Sequence, residues 1–377
     1  MRPQTEIGSI LQELGQRIES IGLNRFQLRT LSALCSCRTA ALGGHVDACT
    51  ECGNLRVSYN SCRNRHCPKC QGNKREEWIR ARNSELLPVP YFHLVFTLPG
   101  ELNALCLSHP KEAYGILFGS AWETLRLFGS NKHVSCGMIA VLHTWGQHLS
   151  LHPHLHCIVP GGGIDKGGKW KHLQSDGRFL FPVKALSKVF RAKYVCLLRK
   201  AGLLSQERIE PLFSKPWVVY AKPPFSHPSH VIEYLGRYTH KVAISNSRIL
   251  SYEENKVRFS YKDYRMAGNK KVMELEDTEF IRRFALHILP SGFVRIRHYG
   301  ILSSTAKREA IGCIRQQLAE KQACFIDMRQ TQPFDPKICP CCGKPSMVTI
   351  DIIPSRGPPT PIAGSLSAGT IKQNLNT

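Results

Sequence analysis

Residues 151–159 read Leu151-His152-Pro153-His154-Leu155-His156-Cys157-Ile158-Val159. Imidazole and apolar side chains alternate, the period-two pattern of a strand with one face turned to a core. Residues i and i+2 of a strand share a face, so His154 and His156 point together and Leu155 points to the opposite, apolar side. Two neutral imidazoles on one rigid strand are half of a metal site. An isolated His-X-His pair is more often structural, but Tyr234 and Tyr238 lie downstream. Residues 228–239 read as a helix, with Ser226 or Ser229 as N-cap, and a spacing of four sends both hydroxyls to one side. Metal-binding histidines and paired tyrosines imply cleavage of single-stranded nucleic acid through a phosphotyrosine.

That chemistry sets requirements. A tyrosine hydroxyl has a pKa of about 10, so only ~0.1% is ionised at neutral pH. A divalent ion on the nonbridging oxygens polarises phosphorus and stabilises the developing charge. Two histidines leave room for a third protein ligand, and the sequence leaves two candidates open. Gln147 lies across the turn before the strand, and His152 shares the face of His154 and His156. Nitrogen ligands admit Mn²⁺ as well as Mg²⁺. Arg237 and Lys241 adjoin the tyrosines and supply positive charge to hold a strand. With two tyrosines, a second cut can follow while the first covalent intermediate survives.

Outward from the histidine strand, residues 91–98, 133–145, 217–221, 256–261, 270–275 and 293–299 read as strands. Residues 110–128, 182–198 and 277–288 read as helices, with Asp277 or Thr278 capping the last. Gly161-Gly162-Gly163 marks a turn. Several strands are hairpin-linked, which predicts an α+β fold with a mainly antiparallel sheet flanked by helices. A small cysteine-rich module precedes it. The expected division is 1–87 for an N-terminal helix and zinc module, 88–330 for the catalytic domain, and 331–377 for a partial knuckle and a disordered Pro-, Gly- and Ser-rich tail.

Residues 6–34 read as helical, and residues 35–72 have too little apolar periodicity to build a core without metal. Seven of the 16 cysteines fall between Cys35 and Cys70. Cys49-Thr50-Glu51-Cys52 and Cys67-Pro68-Lys69-Cys70 are two Cys-X-X-Cys knuckles 14 residues apart, the spacing of a zinc ribbon. Cys37, His45, Cys62 and His66 remain for a second zinc or as replacements within the first set. Cys339-Pro340-Cys341-Cys342-Gly343 is one further knuckle without a following partner, and no site is assigned to it. Arg63, Arg65 and Lys69, with Lys74, Arg75, Arg80 and Arg82 on a basic helix near 74–87, suit phosphate contacts that give affinity and register.

The chain has 377 residues, 51 Lys plus Arg against 28 Asp plus Glu, and a net charge of +23, which favours a polyanionic partner. No apolar run approaches the roughly 20 residues of a membrane span, and the polar N-terminus has no secretory core. A cytoplasmic protein is expected, its cysteines reduced or metal-bound.

Four segments in order resemble the rolling-circle insertion-sequence transposases of the IS91 type: 37–45, 59–71, 152–156 and 234–238. Residues 280–284 and 292–300 fit the same pattern, so the resemblance runs from about residue 10 to 345. It implies a HUH endonuclease fold and transposition through single-stranded DNA, with structural Zn²⁺ and catalytic Mg²⁺ or Mn²⁺. On that resemblance His154 and His156 are metal ligands and Tyr234 and Tyr238 nucleophiles. Two other readings remain. A zinc hydrolase built on His152, His154 and His156 would need a nearby carboxylate, which the strand lacks. A non-catalytic zinc-ribbon regulator leaves the tyrosine pair unexplained.

Overall fold

The computed structural model describes residues 5–83, 85–173, 180–225, 236, 239–263, 266, 268–319 and 335–355. The expected N-terminal helix is broken into α1 (Ile7–Leu14), a 3₁₀ segment (Gly15–Ile21) and α2 (Arg25–Cys35). Gly15 and Gly22 take positive φ (50° and 69°) and end the first two pieces. Asn24 restarts the chain with a capping box, its side chain accepting from the Gln27 N–H while the Gln27 side chain accepts from the Asn24 N–H, both at 3.0 Å. Ile7, Ile10, Leu11, Leu14 and Ile18 are buried.

The cysteine-rich stretch forms a hairpin, β1 (Gly44–Cys49) and β2 (Leu55–Tyr59), before the basic helix α3 (Gln71–Asn83). Then come β3 (Tyr91–Thr97), α4 (Asn103–Ser108), α5 (Pro110–Ser130), β4 (Gly137–Trp145) and β5 (Leu151–Pro160). Gly161 ends β5, as the glycine run predicts, while Gly162 and Gly163 belong to β6 (Gly162–Ile164), which pairs with β7 (Trp170–His172). Glycine is required at 163 for another reason: a Cβ there would lie 2.1 Å from the Ser135 carbonyl oxygen. The chain continues through α6 (Val183–Lys200), α7 (Ile209–Phe213) and β8 (Val219–Ala221). The helix expected over 228–239 falls largely outside the described residues. Beyond it lie β9 (Ile249–Glu253), β10 (Lys256–Asp263), β11 (Asn269–Glu276), α8 (Asp277–Ala285), β12 (Ile296–Gly300), α9 (Lys307–Ala319) and β13 (Met347–Ile353). No described helix is long and apolar enough to cross a membrane.

Two compact units result, and they differ from the expected linear division. One unit combines 1–71, 244–288 and 330–377, and the other 72–243 and 289–329. In the first, the inserted segment is fastened to the N-terminal helices by polar contacts. Arg17 donates twice to the Asp277 carboxylate (3.1 and 2.7 Å), Tyr252 Oη donates to the same group (2.8 Å), and Gln27 Nε2 donates to the Ala285 carbonyl (2.9 Å). Asp277 is therefore a buried ion-pair partner, not the expected cap; the N-cap of α8 is Glu276. This unit holds two three-stranded sheets, β13-β1-β2 and β11-β10-β9. Residues 347–353, after the partial knuckle, form the edge strand beside β1, and the tail expected to be disordered lies from 356 on outside the described residues.

The second unit is built on a five-stranded antiparallel sheet, ordered β12-β4-β5-β3-β8. Leu155, Cys157 and Val159 of β5 face a core closed by α5 and α6, whose Leu186, Phe190, Tyr194 and Leu198 recur every four residues. On the reverse face, Ile139 and Ile158 pack with Ile311, Ile314 and Leu318 of α9. His152, His154 and His156 share that reverse face, nearer the start of β5.

Candidate metal centres

The first unit brings eight cysteines together in two groups. Cys37, Cys62, Cys67 and Cys70 place their sulfurs within 4.8 Å of one another, with Cys70 3.5 Å from Cys37 and 3.7 Å from Cys62. Cys37 follows α2, and the other three come from the loop before α3. Turn bonds shape that loop: the Cys67 N–H donates to the Asn64 carbonyl (3.1 Å), the His66 N–H to Asn64 Oδ1 (2.9 Å) and Gln71 Nε2 to the Asn64 carbonyl (3.0 Å). Sulfur contacts, the one to Cys62 first, hold the Cys37 thiol down to about 7.

Cys49 and Cys52 belong to a different group, with Cys339 and Cys342. The expected four-cysteine ribbon of Cys49, Cys52, Cys67 and Cys70 is therefore not formed. The β1–β2 hairpin explains why. The Cys49 knuckle sits at its tip, whereas Cys37 and Cys62 flank its base, where the Asn60 N–H donates to the Gly43 carbonyl. Five or six residues at about 3.3 Å each keep tip and base more than 15 Å apart, roughly, too far to share one ion. His45 and His66 join neither group. His45 Nε2 lies 3.5 Å from Asp47, and buried His66 accepts from Arg65 Nε (3.3 Å). Hydrogen bonds, first from the Ser346 hydroxyl and then from the Cys52 N–H, hold the Cys49 thiol down to about 6.

The expected phosphate-binding residues divide by environment. Arg63 and Arg75 are exposed, while Arg65 is half-buried. Lys69 is engaged by an ion pair with Glu6 and donates to the Cys37 carbonyl (3.4 Å). The Lys74 side chain and all of Arg237 lie outside the described residues.

The second unit supplies the third group, His143, His154 and His156. His143 stands opposite His154 in the β4–β5 pairing, and His156 is the next residue on the same face of β5. One nitrogen from each ring lies within 4.8 Å of the others. Neither proposed third ligand is in this group. His152 is exposed, its ring 5.2 Å from that of His154, and Gln147 is half-buried in the turn joining β4 to β5. Tyr234 and Tyr238 lie outside the described residues.

Hydrogen bonds orient the rings. His154 Nδ1 donates to the His152 carbonyl at 2.6 Å, which leaves Nε2 with its lone pair. His156 Nδ1 is 2.9 Å from Nε2 of His93, a buried residue of β3 whose ring stacks on that of His156 at 9°. Burial lowers the pKa of His154 to about 4 and of His93 to about 3, and pushes that of His156 well down, with Lys241 adding to the effect on His154 and His156. All three are neutral at pH 7, the protonation state a metal ligand needs.

The chain just past residue 238 returns to this sheet. Buried Arg295 donates to the carbonyls of Thr239 and Lys241, and the Arg295 carbonyl accepts from the Leu142 N–H (3.0 Å), one residue from His143. Lys241 itself is exposed.

Sequence reasoning missed His143, His93 and the Cys339–Cys342 partnership. His93 sits between Phe92 and Leu94, and His143 follows the apolar run Ile139-Ala140-Val141-Leu142, settings where an imidazole is out of place without a specific role. The Cys339 knuckle repeats the Cys-X-X-Cys-Gly pattern of the Cys49 knuckle, and that repetition was the available signal.

Known proteins match over both units. Residues 137–310 match a family described as "Putative transposase", and residues 10–98 match a "Transposase zinc-binding domain" of the IS91 type. The chain is 41% identical to the "Putative transposase y4qJ" of Sinorhizobium fredii, over 95% of this chain and 98% of that protein. It is 28% identical to the "Transposase for insertion sequence element IS801" of Pseudomonas savastanoi pv. phaseolicola, over 80% of this chain and 77% of that protein. No solved structure matches. The cysteine groups and the zinc-binding match together support Zn²⁺ in the first unit.

Proposed function

The chain belongs to the IS91-type family of insertion-sequence transposases, and we propose that it cuts and rejoins single-stranded DNA in the HUH manner, through 5′-phosphotyrosine intermediates. The observation that carries this reading is the triad of His143, His154 and His156 on adjacent strands of an antiparallel sheet. The donor set is three imidazole nitrogens, two of them on rings that burial keeps neutral, and it fits a divalent cation. Such a set suits Mn²⁺ better than Mg²⁺, which prefers oxygen. When bound, the cation supplies charge neutralisation at the nonbridging phosphate oxygens.

The remaining work falls to the chain. Tyr234 or Tyr238 attacks phosphorus, the new Tyr–O–P bond forms as the P–O3′ bond breaks, and the tyrosine proton is lost as the departing 3′ oxygen gains one. The His152 carbonyl and His93 hold the His154 and His156 rings in their orientations. Arg295 anchors the segment that follows the tyrosines to the strand bearing His143, which limits where that segment can carry a nucleophile. Lys241, exposed beside the histidines, meets the phosphate charge. Arg63, Arg65 and Arg75 contact the DNA backbone, with Arg237 and Lys74 assigned the same role from sequence. The second tyrosine permits a further cut before the first intermediate resolves, so rolling-circle strand transfer needs no external energy source.

The test is incubation with single-stranded element-end DNA and Mn²⁺ or Mg²⁺. An SDS-resistant protein–DNA adduct is expected, absent in the Tyr234→Phe/Tyr238→Phe double variant. His143→Ala should bind DNA normally and cleave at least about 100-fold more slowly, since even partners behind a metal ligand are worth 10–100-fold. A product with a free 5′-phosphate and no adduct would overturn the phosphotyrosine reading in favour of hydrolysis. Binding without cleavage would overturn it in favour of a regulator.

A further inference from the structure

We propose that Cys49, Cys52, Cys339 and Cys342 hold a second structural zinc ion that clasps the C-terminal segment, residues 335–355, onto the β1–β2 hairpin. Cys339 and Cys342 lie outside both family matches, which end at residues 98 and 310. The inference is independent of the cleavage reading.

Sulfur spacing comes first. Cys49 lies 3.7 Å from Cys342, and Cys52 lies 3.7 Å from Cys339. A zinc–sulfur distance of about 2.3 Å in a tetrahedron sets a sulfur–sulfur edge of about 3.8 Å. A disulfide needs about 2.05 Å, and all four cysteines are free. Each cross-pair unites residues from opposite ends of the chain, 293 and 287 positions apart.

The two halves are built alike. In each, a glycine directly after the second cysteine takes positive φ, 70° at Gly53 and 72° at Gly343. In each, that glycine's N–H donates to the carbonyl of the first cysteine, at 3.0 Å for Gly53 and 2.9 Å for Gly343. A backbone N–H also points at the first sulfur of each knuckle, from Cys52 to Cys49 and from Cys341 to Cys339, both at 3.4 Å. Such donors stabilise thiolates facing a cation. Cys341, the extra cysteine of the second knuckle, is outside the group.

The surroundings need the ion. Among the described residues, the apolar cluster joining the two halves consists of Cys49, Cys339 and Met347. Most of β13 is exposed. Polar bonds add register: the Thr50 N–H to the Ser346 carbonyl (3.0 Å), Lys344 to Glu51 (2.7 Å), Thr349 to Asp47 (2.8 Å) and Arg56 to the Pro336 carbonyl (2.7 Å). The exposed Lys344–Glu51 ion pair contributes little, and Thr349 reaches Asp47 in a half-buried setting. A segment with so small a core folds when metal supplies the missing free energy.

The experiment is zinc counting by native mass spectrometry on the full chain, with hydrogen exchange of residues 347–353. Cys339→Ser/Cys342→Ser should hold one zinc ion fewer than the wild type and lose protection across β13, while Cys341→Ser should match the wild type in both. Cys342→His, which keeps a zinc ligand, should retain the ion and, with Co²⁺ in its place, show weaker thiolate charge-transfer absorption. An unchanged zinc count in the double serine variant would sink the proposal. So would a wild type two mass units lighter and free of zinc at this site, the mark of a disulfide.

Discussion

The cysteine groups and the histidine group are built from opposite materials. The thiols sit on turns and loops around a hairpin whose partner strand, β13, is mostly exposed. The imidazoles project from β4 and β5, strands whose other faces carry fully buried Ala140, Leu142, Leu155 and Cys157. In the first unit zinc would supply cohesion that the sequence around the cysteines lacks. In the second, the cation proposed for the histidine group would meet a sheet already closed by its own apolar core. The difference follows from composition: residues 35–70 carry few large apolar side chains, and β3, β4 and β5 carry many.

Zinc removal should divide the molecule accordingly, and this is the largest effect expected. All five tryptophans, Trp78, Trp122, Trp145, Trp170 and Trp217, belong to the second unit, so their fluorescence reports on it alone. Cys62→Ser, or wild type stripped by a strong chelator, should lose amide protection over residues 37–70 while tryptophan emission keeps its folded maximum. Structural zinc sites of this size are worth about 10 kcal/mol or more. Retained protection over β1 and β2 without zinc would erase the contrast between the units.

The same contrast decides what could be read from sequence. Strand β5 was legible because it alternates, with Leu155, Cys157 and Val159 turned to the core and His154 and His156 to the other face, while β3 and β4 showed as compact runs rich in apolar and aromatic residues. The partner on the neighbouring strand was not legible. His143 joins His154 through pairing register, and register depends on the turn between the strands, where the pairing is also irregular between His143 and Trp145. Cysteine types and spacings announced metal, but ligand grouping depends on the β1–β2 hairpin, whose short polar strands carry a faint pattern. The return of residues 339–342 to Cys49 spans most of the chain, and only the repeated Cys-X-X-Cys-Gly pattern hints at it.

A smaller effect is expected where the sheet would tune the proposed cation. His93 touches His156 and sits outside the three-imidazole group, so His93→Phe keeps the ligands and removes the orienting hydrogen bond. Affinity for Mn²⁺ should fall about 10–100-fold, the usual cost of losing a partner behind a metal ligand. Tryptophan-monitored stability should change far less, and His93→Gln, which keeps a hydrogen-bonding group, should recover part of the affinity. Unchanged Mn²⁺ affinity in His93→Phe would mean that packing alone orients His156.

The smallest effect separates acid lability caused by burial from that caused by metal loss. His298 of β12 pairs opposite Ile139, away from the histidine triad. Burial, with the Arg82 and Lys307 charges adding and Glu85 opposing, lowers its pKa to about 4. The unfolded chain titrates near 6.5, so between these values the unfolded state binds more protons and stability rises with pH. The sheet therefore weakens as pH falls below about 6.5, by at most about 2 kcal/mol from His298 between pH 7 and 5. In chelator, where metal loss contributes nothing, tryptophan-monitored urea unfolding of His298→Gln should show a shallower decline over that range than the wild type. Identical declines would assign the acid sensitivity to other groups of the second unit, and a decline abolished by chelator alone would assign it to the metal.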